Sequence, residues 1–365
     1  MRDRTLAALA LTSLVLSLWV PLTTNSPEGD LGGYTDHRRH VAVVQLALRH
    51  GVDVYLRPFG ALLNETPVVH AQRDWVDVGY VYPPGALLVF APLVPLARAG
   101  LPDSVFVRLC LAWVLLLTHL AIYACWSALA KSPPHPARWL AGLACWLLLL
   151  HSGLCGQFDV VWVGAAALAI RAFIELRHAH SLCWIGTAAL LHQRAFVLAP
   201  LAVVVLCRLL WDPLAMQVRR VGEWPWPALA FSGSTIGVAL AATGVAMRWV
   251  DLNRNSPALI QDLGDPSAIT AIVFTGALVA CCVWQRSWAL AASVLIVGGV
   301  ALTDSRHWWH AAIVLPPLLL AGVLGHPARP TLLRVAMLAW AIVLTSVFGE
   351  KPLALFTSLY TFLRS

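Results

Sequence analysis

The chain has 365 residues, 59% of them hydrophobic and 12% charged, with a formal net charge of +7 and a mean hydropathy of +0.74. A soluble domain carries about 25% charged residues, and here the charges cluster between long apolar runs. The composition therefore excludes an ordinary soluble fold and implies an all-α polytopic membrane protein. The basic residues lie at the ends of apolar runs, where they set topology, so no nucleic acid is expected among the partners.

Met1 to Arg4 is a short basic start, and Thr5 to Leu22 is apolar. A signal peptide has that outline, but no small-x-small cleavage site follows. An uncleaved first span with a cytoplasmic N-terminus is expected. Residues 23–82 then form the longest polar stretch, a large first loop on the outer face. Within it, His40 to Arg49 spaces its apolar residues as a helix does, which suits a helix lying on the membrane surface.

Apolar segments follow at Pro84–Ala97, Val105–Ala130, Trp139–Leu150, Val160–Ile174, Leu182–Leu191, Phe196–Leu210, Pro227–Met247, Ile269–Trp284, Trp288–Leu302, Ala311–Leu324 and Leu332–Phe348. That makes about 11 or 12 spans, some shorter than the ~20 residues of a straight crossing. The tail Leu353–Leu363 is apolar and suits the interface. No internal repeat is visible, and residues 1–365 read as one integral membrane domain.

Arg171, Arg177, His178, Arg208, Arg219, Arg220, Arg286, Arg329 and Arg334 mark one side, cytoplasmic by the positive-inside rule. Alternation then places Cys155–Asp159, His192–Arg194, Trp249–Pro266 and Asp304–His310 outside, with the first loop. Three apolar segments separate Tyr82 from Gly156, an odd number, so one of them does not cross. Pro84–Ala97, with Pro92 and Pro95 inside it, and the short Trp139–Leu150 are both open to that role.

Seven of the eight cysteines lie in apolar runs and Cys155 in a short loop, with no disulfide or metal spacing. Asp36 stands beside His37, Arg38, Arg39 and His40, cations that keep a carboxylate ionised and able to accept a proton. It also reads as a solvated loop acid. Tyr80-Val-Tyr82-Pro-Pro opens an apolar segment as interfacial aromatics and a first-turn proline would. Asp159, after Gly156-Gln157-Phe158, serves equally as a helix N-cap or as a functional acid at a span boundary. His192-Gln193-Arg194 interrupts an apolar run, either as a hairpin turn or as a phosphate-binding arginine. Arg306 and His307 open another segment beside Asp304 and His310. Histidines at i, i+3 can hold a metal, but a site needs a third or fourth ligand. No cofactor is expected, with a divalent metal as the lesser alternative. Walker A, Gly-rich dinucleotide, Gly-x-Ser-x-Gly and kinase motifs are absent from the sequence.

The ordered set Tyr34-Thr-Asp36, Gly51-Val-Asp-Val-Tyr55, Tyr80-Val-Tyr-Pro-Pro84, Gly156-Gln-Phe-Asp159, His192-Gln-Arg194 with Pro200, and Arg306-His307 with Pro316-Pro317 spans nearly the whole chain. It resembles the GT-C superfamily of integral membrane glycosyltransferases, most closely the bacterial polyprenol-phosphate-mannose-dependent branch. The resemblance implies a GT-C-type helical bundle. It also implies a polyprenyl-phosphate sugar as donor, a lipid or glycan as acceptor, and transfer at the outer face of the plasma membrane. It makes Asp36 the general base. Tyr34, His37, Arg38, Tyr82, Gln157, Asp159, His192, Arg194, Arg306 and His307 would contact substrate, the two arginines 194 and 306 holding the lipid phosphate. Many relatives carry lysine near Arg194 and asparagine near Asp159, and many are longer. A transporter or flippase, a polysaccharide polymerase or ligase, and a membrane scaffold are the competing readings. The gathering of polar residues at one face, and the early position of the large loop, favour the glycosyltransferase.

Overall fold

The computed structural model describes residues 3–23, 36–71, 76–77, 79–80, 82–131, 137–154, 156, 158, 160–192, 195, 198, 202 and 205–206. Every element among them is helical. Two stretches are long and apolar enough to cross a membrane: Asp3–Thr23 and Asp103–Ala130. The first is α1 (Asp3–Ser17) continued by α2 (Trp19–Thr23), and the second is α8. Leucines and valines cover the free side of α1, with Leu11, Val15 and Leu16 all exposed. Such a surface is what hydrocarbon, not water, solvates.

Between these two lie α3 (Asp36–His50), α4 (Asp53–Leu56), α5 (Phe59–Glu65), α6 (Pro84–Phe90), a single 3₁₀ turn Ala91–Leu93 and α7 (Val94–Arg98). The helix expected on the membrane surface is present as α3, but it does not lie open. Val41, Ala42, Val43, Gln45 and Leu46 are all buried, covered by the other short helices of the loop. Gly51, at φ +57°, ends α3 in the left-handed region that glycine enters without penalty.

Pro84–Ala97 does not form a straight helix. Pro92 and Pro95 lack an amide proton, so the segment breaks into α6, the 3₁₀ turn and α7. Both ends of this broken segment meet the loop. Tyr82, just before it, packs on His40, and Asp103, just after it, pairs with Arg38 at 3.4 Å and with His70. The broken segment Pro84–Ala97 thus has contacts with the loop at both ends, whereas Trp139–Leu150 lies inside an unbroken 18-residue helix, α9 (Ala137–Leu154).

The long helices alternate in direction. Arg108, early in α8, donates to the Leu22 carbonyl at the end of α2 (3.0 Å). Past the other end of α8, Lys131 pairs with Glu175 (3.0 Å), and Arg171 reaches both Glu175 (3.3 Å) and Asp3 (3.5 Å). Arg171 lies in α10 (Val160–Ile174), and α11 (His178–Leu191) follows. Helices α8, α10 and α11 pack through small residues, including Ala121, Ala165, Ala166, Ala169 and Ala188. A Cβ on Gly164 would stand 3.0 Å from Ala121, so glycine permits the α8–α10 approach.

One polar chain crosses this bundle. The His119 Nδ1–H donates to the Leu115 carbonyl (2.8 Å), which leaves Nε2 as an acceptor for the Ser13 hydroxyl (2.9 Å). The Trp146 indole N–H donates in turn to Ser13 Oγ (2.8 Å). Helices α1, α8 and α9 are thereby joined by side chains in the middle of apolar helices, where an unmade hydrogen bond is costly.

Candidate functional site

The loop and three helix ends meet in a cluster of aromatic and histidine rings. His40 is its centre. The ring is buried, stacks on Phe90 (4.5 Å, 10° between planes) and meets Tyr82 (4.9 Å) and Phe158 (4.6 Å) edge-on. Its Nδ1 shares a 2.9 Å hydrogen bond with the Tyr80 hydroxyl. Tyr82 and Phe158 both extend the cluster to His192, at 5.2 and 5.8 Å, and Trp162 lies beyond at 6.4 Å. Such tilted and edge-on pairs add about 0.5–1.5 kcal/mol each beyond burial.

Local structure explains why these rings converge. Helical spacing puts His40 one turn after Asp36. The Tyr80 amide donates to the Val54 carbonyl (2.8 Å), which pins the strand of chain carrying Tyr80 and Tyr82 against α4. Phe158 turns into α10, its carbonyl accepting the Val161 amide (2.9 Å). His192 ends α11, its amide donating to the Ala188 carbonyl (3.0 Å). Gly85 lets the start of α6 touch the end of α11: a Cβ there would lie 2.8 Å from the Leu190 carbonyl carbon. That contact holds Tyr82 beside His192.

The electrostatics of the loop are unusual for so basic a stretch. His37 is buried, and burial followed by the neighbouring Arg38 charge lowers its pKa to about 4, so the imidazole is neutral near pH 7. Arg39 lies over the Phe59 ring at 5.8 Å. Burial raises the Tyr55 phenol, which packs on Tyr80 at 5.7 Å. The stretch after Asp36 thus presents an Arg38–Asp103 ion pair, an Arg39–Phe59 cation–π contact and a buried, neutral His37 ring, not a solvated cationic patch.

The expected site residues divide three ways. Tyr82 and His192 are brought together, and His37 lies three residues from His40 on the same helix. Asp36 opens α3. Arg38 is engaged with Asp103, 65 residues away. Tyr34, Gln157, Asp159, Arg194, Arg306 and His307 lie outside the described residues. His40, Tyr80, Phe90, Phe158 and Trp162 were not among the expected site residues. The signal was there for His40, at i+4 from Asp36, and for Tyr80, at i−2 from Tyr82. Among the described residues no three histidine, cysteine, aspartate or glutamate side chains gather as a metal site. Comparison with family models, curated proteins and solved structures finds no match to this chain.

Proposed function

We propose that the chain is a multi-pass membrane glycosyltransferase that moves a hexose, mannose on the resemblance, from a polyprenyl-phosphate carrier to a lipid or glycan acceptor. The reaction takes place at the loop end of the bundle, on the outer face of the plasma membrane, with Asp36 as general base. One observation carries the reading: α3 begins with Asp36 and one turn later inserts His40 into a ring cluster that also holds Tyr82 and His192. Three stretches far apart in sequence therefore meet on the helix that Asp36 opens. Tyr82 is the partly exposed ring of this cluster, and its face suits the apolar face of a sugar and its phenol a sugar hydroxyl.

The chemistry asks little more of the protein. The acceptor hydroxyl loses its proton to the Asp36 carboxylate as its oxygen attacks the anomeric carbon. The bond from that carbon to the phosphate oxygen breaks, and the polyprenyl phosphate leaves with the electron pair. Arg194 and Arg306 are the proposed cations for that phosphate. In this reading the end of the bundle with Asp3, Lys131, Arg171 and Arg177 faces the cytoplasm, in line with positive-inside bias.

The test supplies purified protein with either a polyprenyl-phosphate sugar or the matching nucleotide sugar. Transfer from the lipid-linked donor is expected, falling ~10²–10⁴-fold in Asp36→Asn, which keeps size but cannot take a proton. Turnover with the nucleotide sugar alone would remove the reading. A transporter remains the second reading, on the strength of the buried His119–Ser13 pair inside the helices. Substrate counter-flow in vesicles without any sugar transfer would favour it.

A further inference from the structure

A second feature lies away from the ring cluster, towards the opposite end of the bundle. A groove of about 420 Å³ runs between α1, α8 and α9, walled by Leu6, Leu9, Leu16, Trp126, Leu143 and Trp146. Its rim is open: Leu9 is 47% exposed and Leu143 45%. The rim continues into the apolar outer face of α1, the surface that hydrocarbon covers if the helix spans. The hydroxyls in its wall are already bonded, Thr12 to the Ala8 carbonyl and Ser13 to His119 and Trp146, so they make little demand on a ligand.

The groove ends among charges. Ala130 lines it, and Lys131 is the next residue; Leu6 lines it, and Asp3 and Arg4 lie one turn earlier on α1. Around that end the described residues set four cations, Arg4, Lys131, Arg171 and Arg177, against two carboxylates, Asp3 and Glu175. The two carboxylates pair with three of those cations, and a formal excess of two positive charges remains. Arg177 is half exposed and Arg4 exposed.

We infer that this groove seats an acyl chain of an anionic phospholipid, with its phosphate on the cation-rich end around Arg4, Lys131 and Arg177. Hydrocarbon fits a wall of leucine and tryptophan, and an anionic headgroup complements the excess charge where the groove reaches the interface. The lipid would lie in the leaflet away from the ring cluster, so it is not the sugar donor. It would fill the space between the first helix and the rest of the bundle. The inference rests on the membrane placement alone and is indifferent to glycosyl transfer.

The experiment uses the full chain purified in detergent and phosphatidylglycerol carrying a photoactivatable group on one acyl chain. Cross-linked peptides are expected to include Leu9 or Trp146. Unlabelled phosphatidylglycerol should compete better than phosphatidylcholine of the same chain length, by about fivefold for each basic side chain at an anionic surface. Leu143→Trp should fill the groove and cut the labelling severalfold. Arg177→Gln, at an exposed position, should keep the labelled peptides and lose part of the headgroup preference. Equal competition by the two phospholipids would overturn the proposal, as would displacement of the label by polyprenyl phosphate. A third result has the same force: a cysteine at position 9 cross-linking to one between 207 and 365, which would mean that the chain itself fills the groove. None of these readouts measures sugar transfer, so failure here leaves the glycosyltransferase reading standing, and the reverse also holds.

Discussion

The loop half and the long-helix half of this protein are packed by different means. Around α3, α6 and the start of α8 the aliphatic core carries five buried rings, Phe59, Tyr80, Phe90, Phe106 and Phe158, and His40 packs on three of them. Around α8, α10 and α11 the core is built of alanine, isoleucine, leucine and valine, with two rings among them, Phe173 and, on the His192 side, Trp162. Small residues let straight helices approach closely and fix their crossing by backbone contact. Rings fill the irregular space left by short helices, a 3₁₀ turn and proline breaks, and they bring polar edges with them. The difference teaches where polar groups can reside: a core of alanine and aliphatic side chains offers none, whereas the ring-bearing core has phenols and imidazoles already placed.

The largest expected effect separates the halves by pH. His37 has a pKa near 4 in the folded protein and an ordinary value of 6.5 when unfolded, so the unfolded chain binds its proton first on acidification. The stability tied to this group is complete above pH 6.5 and is lost as pH falls from 6.5 towards 4, a total of about 3 kcal/mol at 1.36 kcal/mol per unit. Thermal unfolding in detergent across that window should show the loss in the wild type and a much flatter profile in His37→Gln. Matching profiles for the two proteins would mean that the His37 ring is not buried among the loop helices.

A smaller effect is expected in the alanine-packed half. Gly164→Leu places side-chain atoms where Ala121 already stands, and overpacking of this kind costs about 1–3 kcal/mol. Gly142→Ala is the control, because its Cβ would meet the Trp126 indole nitrogen at an ordinary 3.6 Å. The melting temperature of the first should drop and that of the second should hold. If Gly164→Leu is as stable as wild type, close backbone approach is not what holds α8 to α10.

Much of the helical half was legible in the sequence. Val160–Ile174 has the same limits in the structure as in the hydropathy pattern, and Val105–Ala130 gains only the two residues that Pro102 places at the start of α8. Apolar runs report helices directly because burial in hydrocarbon or in a bundle demands them. The prolines at 92 and 95 foretold a break, but only the contacts of Asp103 with Arg38 and His70 bring the far end of the broken segment to the loop. The ring cluster was half legible. Tyr82 and His192 stand out as polar punctuation between apolar runs, while Phe90 and Phe158 look like any other apolar residue. Their role depends on contacts with residues far away along the chain, such as His40, which no local pattern encodes. His119 was hidden for the same reason, a histidine well inside a 28-residue helix whose side-chain partner, Ser13, lies on α1.

The smallest effect tests the contrast at its centre. Tyr80→Phe removes one oxygen and keeps the ring, with its neighbours Tyr55 and Tyr82 at 5.7 and 5.6 Å. What disappears is the hydrogen bond to His40 Nδ1, and a net loss of about 1 kcal/mol is expected for a single buried bond. Tyr80→Leu removes the ring as well and should cost distinctly more, because the rings rather than the one hydrogen bond are taken to fill this core. The histidine signal is a second readout: the ¹⁵N shift of His40 Nδ1 should change in Tyr80→Phe and not in Gly164→Leu. Should the phenylalanine and leucine variants lose stability equally, the hydrogen bond and not the ring would be holding the loop together. The distinction between a ring-packed and an alanine-packed half would then fail at the residue where it ought to be clearest.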